Sequence, residues 1–268
     1  MYCAPFNINI YMFIYIYMVH LGIIPDGNRR WCKKNDFEMK DLTKHWTQII
    51  LSHIKNIIDE TDTEKNIKKQ IDKYKYLKQI DELSFYICSI DNIKRTDGTP
   101  QLIFNLIRKI YDIIKNPRDY LEPITLNLFN SNKEKYKNNI NLITNFIGDL
   151  SLLPNDIQDM IQELQTELKT NYQNPDANKF TLNIAIAYDY NKDITNYGSN
   201  HMKNYNREQS NIDVVFRSGG EKRISGFFPT KILYSELFFA KTLWPDITLF
   251  DLNKIIKKFF HRNRRFGK

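Results

Sequence analysis

Between His20 and Trp31 the chain reads HLGIIPDGNRRW, and this stretch limits the fold more than any other. Leu21 to Ile24 form an apolar run short enough for a buried strand. Pro25, Asp26, Gly27 and Asn28 concentrate turn chemistry, and Arg29 and Arg30 stand where a helix would begin. A tight turn from strand into helix leaves N–H groups at the helix N-terminus without internal partners, and the helix dipole favours an anion there. Two arginines add fork-shaped cationic donors. Asp26 is the odd member, because a carboxylate repels phosphate unless a cation lies between them. The pattern points to a diphosphate held with Mg²⁺ bridging Asp26 to phosphate oxygens. An ordinary turn between a strand and a helix is the competing reading.

A second block downstream carries matching chemistry. Ile212 to Phe216 reads as a short strand and leads into Arg217, Ser218, Gly219, Gly220, Glu221, Lys222, Arg223, Ile224, Ser225, Gly226 and Phe227. The glycines let backbone approach a ligand closely, and the arginines suit a diphosphate. A third candidate strand, Leu83 to Cys88, runs into Ser89, Asp91, Asn92 and Arg95. Polar and basic residues just past the C-terminal end of a strand are where open α/β sheets place ligands.

The remaining elements are read by periodicity. Residues 32 to 60 pattern as helix, with Ile49, Ile50, Ile54, Ile57 and Ile58 as an apolar stripe. Residues 59 to 80 are Lys-rich and read as a solvated helix or loop. Residues 101 to 115 form a strongly apolar helix, and the stretch to Asn139 is rich in Asn and Lys. Pro154 to Thr170 is an amphipathic helix with Ile157, Met160, Ile161, Leu164 and Leu168 on one face. Phe180 to Tyr188 reads as a strand. Residues 193 to 211 are weakly patterned, with a helix there shortened or lost. Glu236 lies inside an apolar run from Lys231 to Phe239, a costly place for a charge unless it is paired or metal-bound. Thr248 and Asp251 form a capping box for a last helix with Leu252, Ile255, Ile256, Phe259 and Phe260 on its apolar face. The tail from His261 is basic.

Composition bounds the partners. The chain has 268 residues, enough for one large domain or two small ones, and 42% of them are hydrophobic, enough for a sizeable core. Its net charge of +8 suits an anionic partner: a phosphate substrate, nucleic acid or an anionic lipid surface. Cys3, Cys32 and Cys88 show no zinc or redox spacing, consistent with a reduced intracellular setting. Ile8 to Val19 is an uncharged, Tyr-rich run, shorter than a spanning helix needs and without signal-peptide features. It is a membrane-touching segment, an extra strand, or an extension ahead of a start at Met18; the last two are favoured.

The motifs resemble those of the cis-prenyltransferases, the undecaprenyl diphosphate synthase family. There the first block reads approximately His-Val-Ala-Ile-Ile-Met-Asp-Gly-Asn-Gly-Arg-Trp, so Arg29 replaces a glycine. The second family motif is approximately Ser-Ser-Glu-Asn-Trp-x-Arg; Ser89, Asn92 and Arg95 match, Asp91 replaces Glu, and Ile93 replaces Trp. The block from Arg217 to Phe227 is similar, almost position for position, to Arg-x-x-Gly-Glu-x-Arg-x-Ser-x-Phe. Leu243 to Asp246 matches Leu-Trp-Pro-Asp. Met39 and Thr43 stand where the family usually has Arg and His.

The resemblance implies a single α/β domain over residues 19–268, preceded by an extension over residues 1–18. The domain would hold a central, mostly parallel sheet flanked by helices, with a hydrophobic tunnel lined by the helix after the second motif. The reaction implied is condensation of isopentenyl diphosphate onto an allylic diphosphate, farnesyl or geranylgeranyl, to give a longer (Z)-polyprenyl diphosphate. By resemblance, Asp26 and Asn92 take catalytic positions. Gly27, Asn28, Arg29, Arg30, Trp31, Ser89, Asp91 and Arg95 would bind substrate. Arg217, Glu221, Arg223, Ile224 and Ser225 would complete the diphosphate sites. Asp26 and Glu236 would hold Mg²⁺, and Arg265 and Gly267 would reach across a homodimer interface. A cytoplasmic location, with membrane contact through the lipid product and no nucleic acid, completes the expectation. Two alternatives stay open: a non-catalytic diphosphate-binding partner subunit, and a basic nucleic-acid-binding protein.

Overall fold

In the computed structural model the described residues are 18–38, 42, 76–115, 140–171, 178–196 and 210–265. The N-terminal run from Ile8 to Tyr17, the isoleucine stripe from Ile49 to Ile58, Met39, Thr43 and Gly267 lie outside them. So do most of the Lys-rich stretch before residue 76, the Asn- and Lys-rich stretch to Asn139, and residues 197–209.

Among the described residues the strands form one six-stranded, wholly parallel sheet in the order β3-β4-β2-β1-β5-β6. The strands are β1 Val19–Ile24, β2 Ile80–Tyr86, β3 Ile140–Ile147, β4 Asn178–Ala185, β5 Val214–Arg217 and β6 Glu236–Phe239. The helices are α1 Asn28–Asn35, α2 Ile90–Ile93, α3 Thr99–Lys115, α4 Asn155–Asn171, α5 Tyr190–Asn196 and α6 Leu249–Phe260. The α/β class and the flanked parallel sheet are as expected.

The register sorts the side chains by face. Leu21 pairs with Leu83 and Leu83 with Leu182, while Ile23 pairs with Phe85 and Phe85 with Ile184. This apolar face is covered by α6 through Leu252, Ile256 and Phe259 and by α3 and α4 through Ile103, Ile107, Ile157, Ile161 and Leu164. The opposite face carries His20, Gly22, Ser84 and Asn183. Phe227 lies against Gly22 so closely that a Cβ there would fall 2.6 Å from its ring.

A polar row runs across that second face, buried at His20, Glu82, Ser84 and Asn183 and open to solvent at Ser210. His20 Nε2 meets Ser84 Oγ at 2.7 Å and Nδ1 meets Ser210 Oγ at 2.9 Å. Ser210 Oγ donates to Glu82 at 2.6 Å, and Asn183 Nδ2 donates to the other Glu82 oxygen at 2.7 Å. The donor count is satisfied by a neutral imidazole with its proton on Nδ1, since Ser210 Oγ spends its own proton on Glu82. Burial lowers the His20 pKa to about 4, against weaker upward pulls from Ser210 and Asp213.

Several element boundaries differ from expectation: the strand read as Leu83 to Cys88 runs over Ile80–Tyr86, and the one read as Ile212 to Phe216 over Val214–Arg217. The helix predicted over 32–60 breaks at Asp36, which takes a left-handed φ of 55° while Phe37 N–H closes onto Cys32 O. Leu42 is helical again and buried. The strand predicted to Tyr188 ends at Ala185, because Ala187 turns left-handed at φ 49° and Tyr188 rejoins only through a bridge to Ser89. The helix expected to be shortened over 193–211 begins earlier, at Tyr190. The capping box formed by Thr248 and Asp251 is present as read.

Candidate functional site

The chain leaves β1 on one side towards β2 and returns on the other side at β5. Ligands of open parallel sheets bind at such a switch point, outside the carboxyl ends of the strands. The loops following β1 and β5 meet there. Asp26 N–H donates to Ser218 Oγ at 2.9 Å and Ser218 Oγ donates back to Asp26 O at 2.8 Å, lacing the two loops together. Trp244 N–H also donates to Asp26 O, at 3.0 Å.

Gly27 takes a φ of 105° ahead of α1, where no side chain caps the helix. That leaves the first turn of α1 open to an anion. Asn28 Nδ2 donates to Pro25 O at 2.9 Å and stiffens the turn. Trp31 is turned into the core and donates to Asp246 at 2.7 Å, so it supports the loop rather than the mouth.

Arg217, the last residue of β5, is 5% exposed. Its Nη2 lies 2.8 Å from Asp26 Oδ2, and its Nη1 donates to Ser225 Oγ at 2.7 Å and to Arg223 O. Its buried Nε has no acceptor among the described residues. Arg30 Nη2 lies 3.2 Å from the other Asp26 oxygen, and Arg30 Nη1 donates to Gly219 O at 2.7 Å. Burial pushes the Asp26 carboxyl upward, but the hydrogen bond from Arg217 and the charges of Arg217 and Arg30 outweigh it and hold the pKa below the ordinary value. Asp26 is therefore ionised at neutral pH.

The backbone donors of the Gly-Gly turn are used within the fold. The N–H groups of Gly219 and Gly220 donate to Thr242 O and Ala240 O, both at 2.8 Å. At Gly219, with φ +83°, a Cβ would fall 2.7 Å from Arg30 Nη2 and 2.9 Å from Asp26 O. The missing side chain makes room for Arg30. Ser225 holds a left-handed φ of 51°, a strained position for a non-glycine residue. Arg223 is exposed and paired with Glu221, with Ile224 partly buried beside it.

Ser89 and Asn92 cap α2 reciprocally. Asn92 Oδ1 accepts from Ser89 N–H and from Ser89 Oγ, both at 3.0 Å. Its carbonyl oxygen is thus occupied, which suits Asn92 to donating and positioning rather than to taking a proton. Asp91 is exposed. Tyr86 Oη donates to Ser225 O at 3.3 Å, and burial raises its pKa. Arg29 and Arg95 both lie 3.2 Å from Asp97 Oδ2.

Glu236 is placed elsewhere within one chain. It opens β6 opposite Val214, three residues before the Phe239–Arg217 pair, about 10 Å along the strand from the Asp26 loop. It lies 3.5 Å from Arg262. Arg265 is exposed. Among the described residues, the apolar space between α3, α4 and the sheet holds a cavity of about 10 Å³ lined by Ile87, Ile107, Tyr111, Phe146, Met160 and Leu164. Arg108–Asp156 at 2.7 Å, Lys115–Glu163 at 2.6 Å and a Tyr111–Glu163 hydrogen bond tie the two helices together over it. Sequence reasoning missed Ser218, Tyr86 and Asp97. Only Tyr86 carried a signal, as a polar aromatic three residues before Ser89 in the strand that leads into the second motif.

A cationic cradle at the switch point of a parallel sheet, with the ionised Asp26 at its centre, is an arrangement whose charge suits an anionic ligand. The family model described as "Putative undecaprenyl diphosphate synthase" matches residues 24–267, and the chain belongs to the cis-prenyltransferase family. A geranylgeranyl-diphosphate-specific tritrans,polycis-undecaprenyl-diphosphate synthase of Pyrobaculum aerophilum is 27% identical, covering 93% of this chain and 95% of its own. An isoprenyl transferase of Treponema denticola is 29% identical, covering 92% and 96%. A (2E,6E)-farnesyl-diphosphate-specific ditrans,polycis-undecaprenyl-diphosphate synthase of Buchnera aphidicola is 29% identical, covering 92% and 90%. In fold, the chain is similar to lavandulyl diphosphate synthase from Lavandula x intermedia, with a TM-score of 0.62 at 19% identity over 94% of this chain and 99% of that one. It is also similar to a probable undecaprenyl diphosphate synthase from Campylobacter jejuni, with a TM-score of 0.56 at 24% identity and the same coverage.

Proposed function

We propose that the protein is a Mg²⁺-dependent cis-prenyltransferase that condenses isopentenyl diphosphate with an allylic diphosphate, farnesyl or geranylgeranyl, to give a longer (Z)-polyprenyl diphosphate. The observation that carries this reading is the buried guanidinium of Arg217, which shares Asp26 with Arg30 and keeps an unsatisfied Nε.

In this reading the allylic diphosphate sits over the open first turn of α1, with Arg29, Arg30 and Arg95 neutralising it as it leaves. Arg217, Arg223 and Ser225 hold isopentenyl diphosphate. Asn92 donates to and orients the group that accepts the proton lost on condensation, a phosphate oxygen or a water. Asp26 is half-buried and ionised, and a single carboxylate beside phosphates is a donor set that Mg²⁺ accepts. When bound, the ion would neutralise charge on the departing diphosphate. The apolar chain enters between α3 and α4, whose polar ties must part for it to elongate.

A homodimer is part of the same reading. The edge strand β6 is flanked by Leu233 and Tyr234, 80% and 68% exposed, and carries Leu237, 43% exposed, an apolar edge that a second copy would cover. The place of action is the cytoplasm, with membrane contact through the lipid product.

The test is turnover: purified protein, labelled isopentenyl diphosphate, each allylic primer and Mg²⁺, with products separated by length. Label in a longer polyprenyl product is the expected result. No incorporation by folded protein with any primer would overturn the stand-alone enzyme and favour the partner-subunit alternative.

A further inference from the structure

Asp97 gathers two of the arginines that the proposed function assigns to substrate. Its Oδ2 lies 3.2 Å from Arg29 Nη1 and 3.2 Å from Arg95 Nε. Its Oδ1 accepts from Thr99 N–H, also at 3.2 Å, at the start of α3. Arg29 belongs to the first turn of α1, Arg95 to the segment after α2, and Asp97 to the loop into α3. One carboxylate thus ties the start of α1 to the segment between α2 and α3, across the mouth of the crevice. The tie uses Arg29, the position where the family motif has glycine and no such arm exists.

We propose that Asp97 is a built-in counter-anion that occupies Arg29 and Arg95 until a diphosphate displaces it, so that it sets how tightly the mouth binds its substrate. The inference rests on the diphosphate reading of the site. All three side chains are substantially exposed, with 57% of Arg29, 37% of Arg95 and 42% of Asp97 accessible. The clasp is therefore weak and exchangeable, as surface ion pairs are. A diphosphate carries more negative charge than one carboxylate and offers several oxygens to the same two guanidinium forks. It wins the exchange, but it gains only the difference between its contacts and those of Asp97. The cost appears as weaker binding, not as a slower chemical step.

Asp97→Asn isolates the charge, because the amide oxygen can still accept from Thr99 N–H and keep the helix start. Calorimetric titration with inorganic diphosphate at low ionic strength is expected to show binding about three- to tenfold tighter for Asp97→Asn than for the wild type. The gain should shrink as salt screens the clasp. Arg29→Gln should cost little affinity in the wild type and more in the Asp97→Asn background, the non-additivity expected of residues that share a partner. Equal or weaker binding by Asp97→Asn, with the wild type and Asp97→Asn both binding diphosphate, overturns the clasp and leaves the site reading intact. No diphosphate binding by either protein overturns both.

Discussion

Arg217 Nη2 donates to Asp26 Oδ2 at 2.8 Å across 191 positions of sequence, and this pair is the hinge on which the proposed chemistry turns. Asp26→Ala is expected to lower turnover at least about 100-fold, the usual scale for losing a group aimed at developing charge. It should also lower the melting temperature, because Arg217 is left buried without its counter-charge. Adding Arg217→Met should restore part of that stability and none of the turnover. A double variant less stable than Asp26→Ala alone would sink this account.

Removal of Mg²⁺ should separate activity from folding. Both Asp26 oxygens already face guanidinium groups, so the carboxylate does not need a cation to stay folded. EDTA is expected to abolish label incorporation while circular dichroism and the melting temperature hold steady. A large melting shift on chelation would show that the metal is structural.

Acid stability should report the polar row. His20 has a folded pKa lowered to about 4 from an ordinary 6.5, chiefly by burial. Below 6.5 the unfolded chain takes a proton that the folded chain refuses, so stability falls as the pH drops from about 6.5 to about 4. The loss attributable to His20 reaches about 3 kcal/mol at the lower end. Glu82, Asp213 and Lys231 bear on the same imidazole, so the comparison needed is with His20→Gln. Urea midpoints measured across this range should slope less for the variant.

Gly219→Ala tests the close approach at the site. The residue sits at φ +83°, and a methyl would meet Arg30 Nη2 and Asp26 O. Backbone strain of about 1 kcal/mol or more is expected. The larger effect should be on KM for isopentenyl or allylic diphosphate, since Arg30 must move. An unchanged KM would show that Arg30 does not touch substrate.

The β6 edge is tested by charge. Leu233→Glu together with Leu237→Glu should leave the monomer folded, because both side chains are exposed, and shift sedimentation towards the monomer. If β6 is not the interface, the association state stays unchanged.

The sequence disclosed what is local and hid what depends on which strands lie side by side. The strand, turn and helix from Val19 to Asn35 were legible because apolar run, turn residues and helix start follow one another. The break at Asp36 was not, since an aspartate takes the left-handed position that a glycine would have announced. Arg217 was legible as a site residue from its motif. Its neighbour Ser218 was not, because the bonds that lace it to Asp26 exist only once β1 and β5 are neighbours. The same holds for the row of His20, Glu82 and Asn183, drawn from three strands. Glu236 shows the converse: the motif groups it with Asp26, while the strand register sets the two apart within one chain.

The strand order has a consequence for synthesis. β1 stands between β2 and β5, and its pairing of Leu21 with Val214 joins the beginning of the chain to its last quarter. A nascent chain emerging from the ribosome carries the Asp26 loop early but cannot close it until β5 has also emerged. Until then one flank of β1 stays unpaired, a target for chaperones or for mispairing. Nonsense truncations ahead of residue 214 should therefore yield insoluble fragments rather than weakened enzymes.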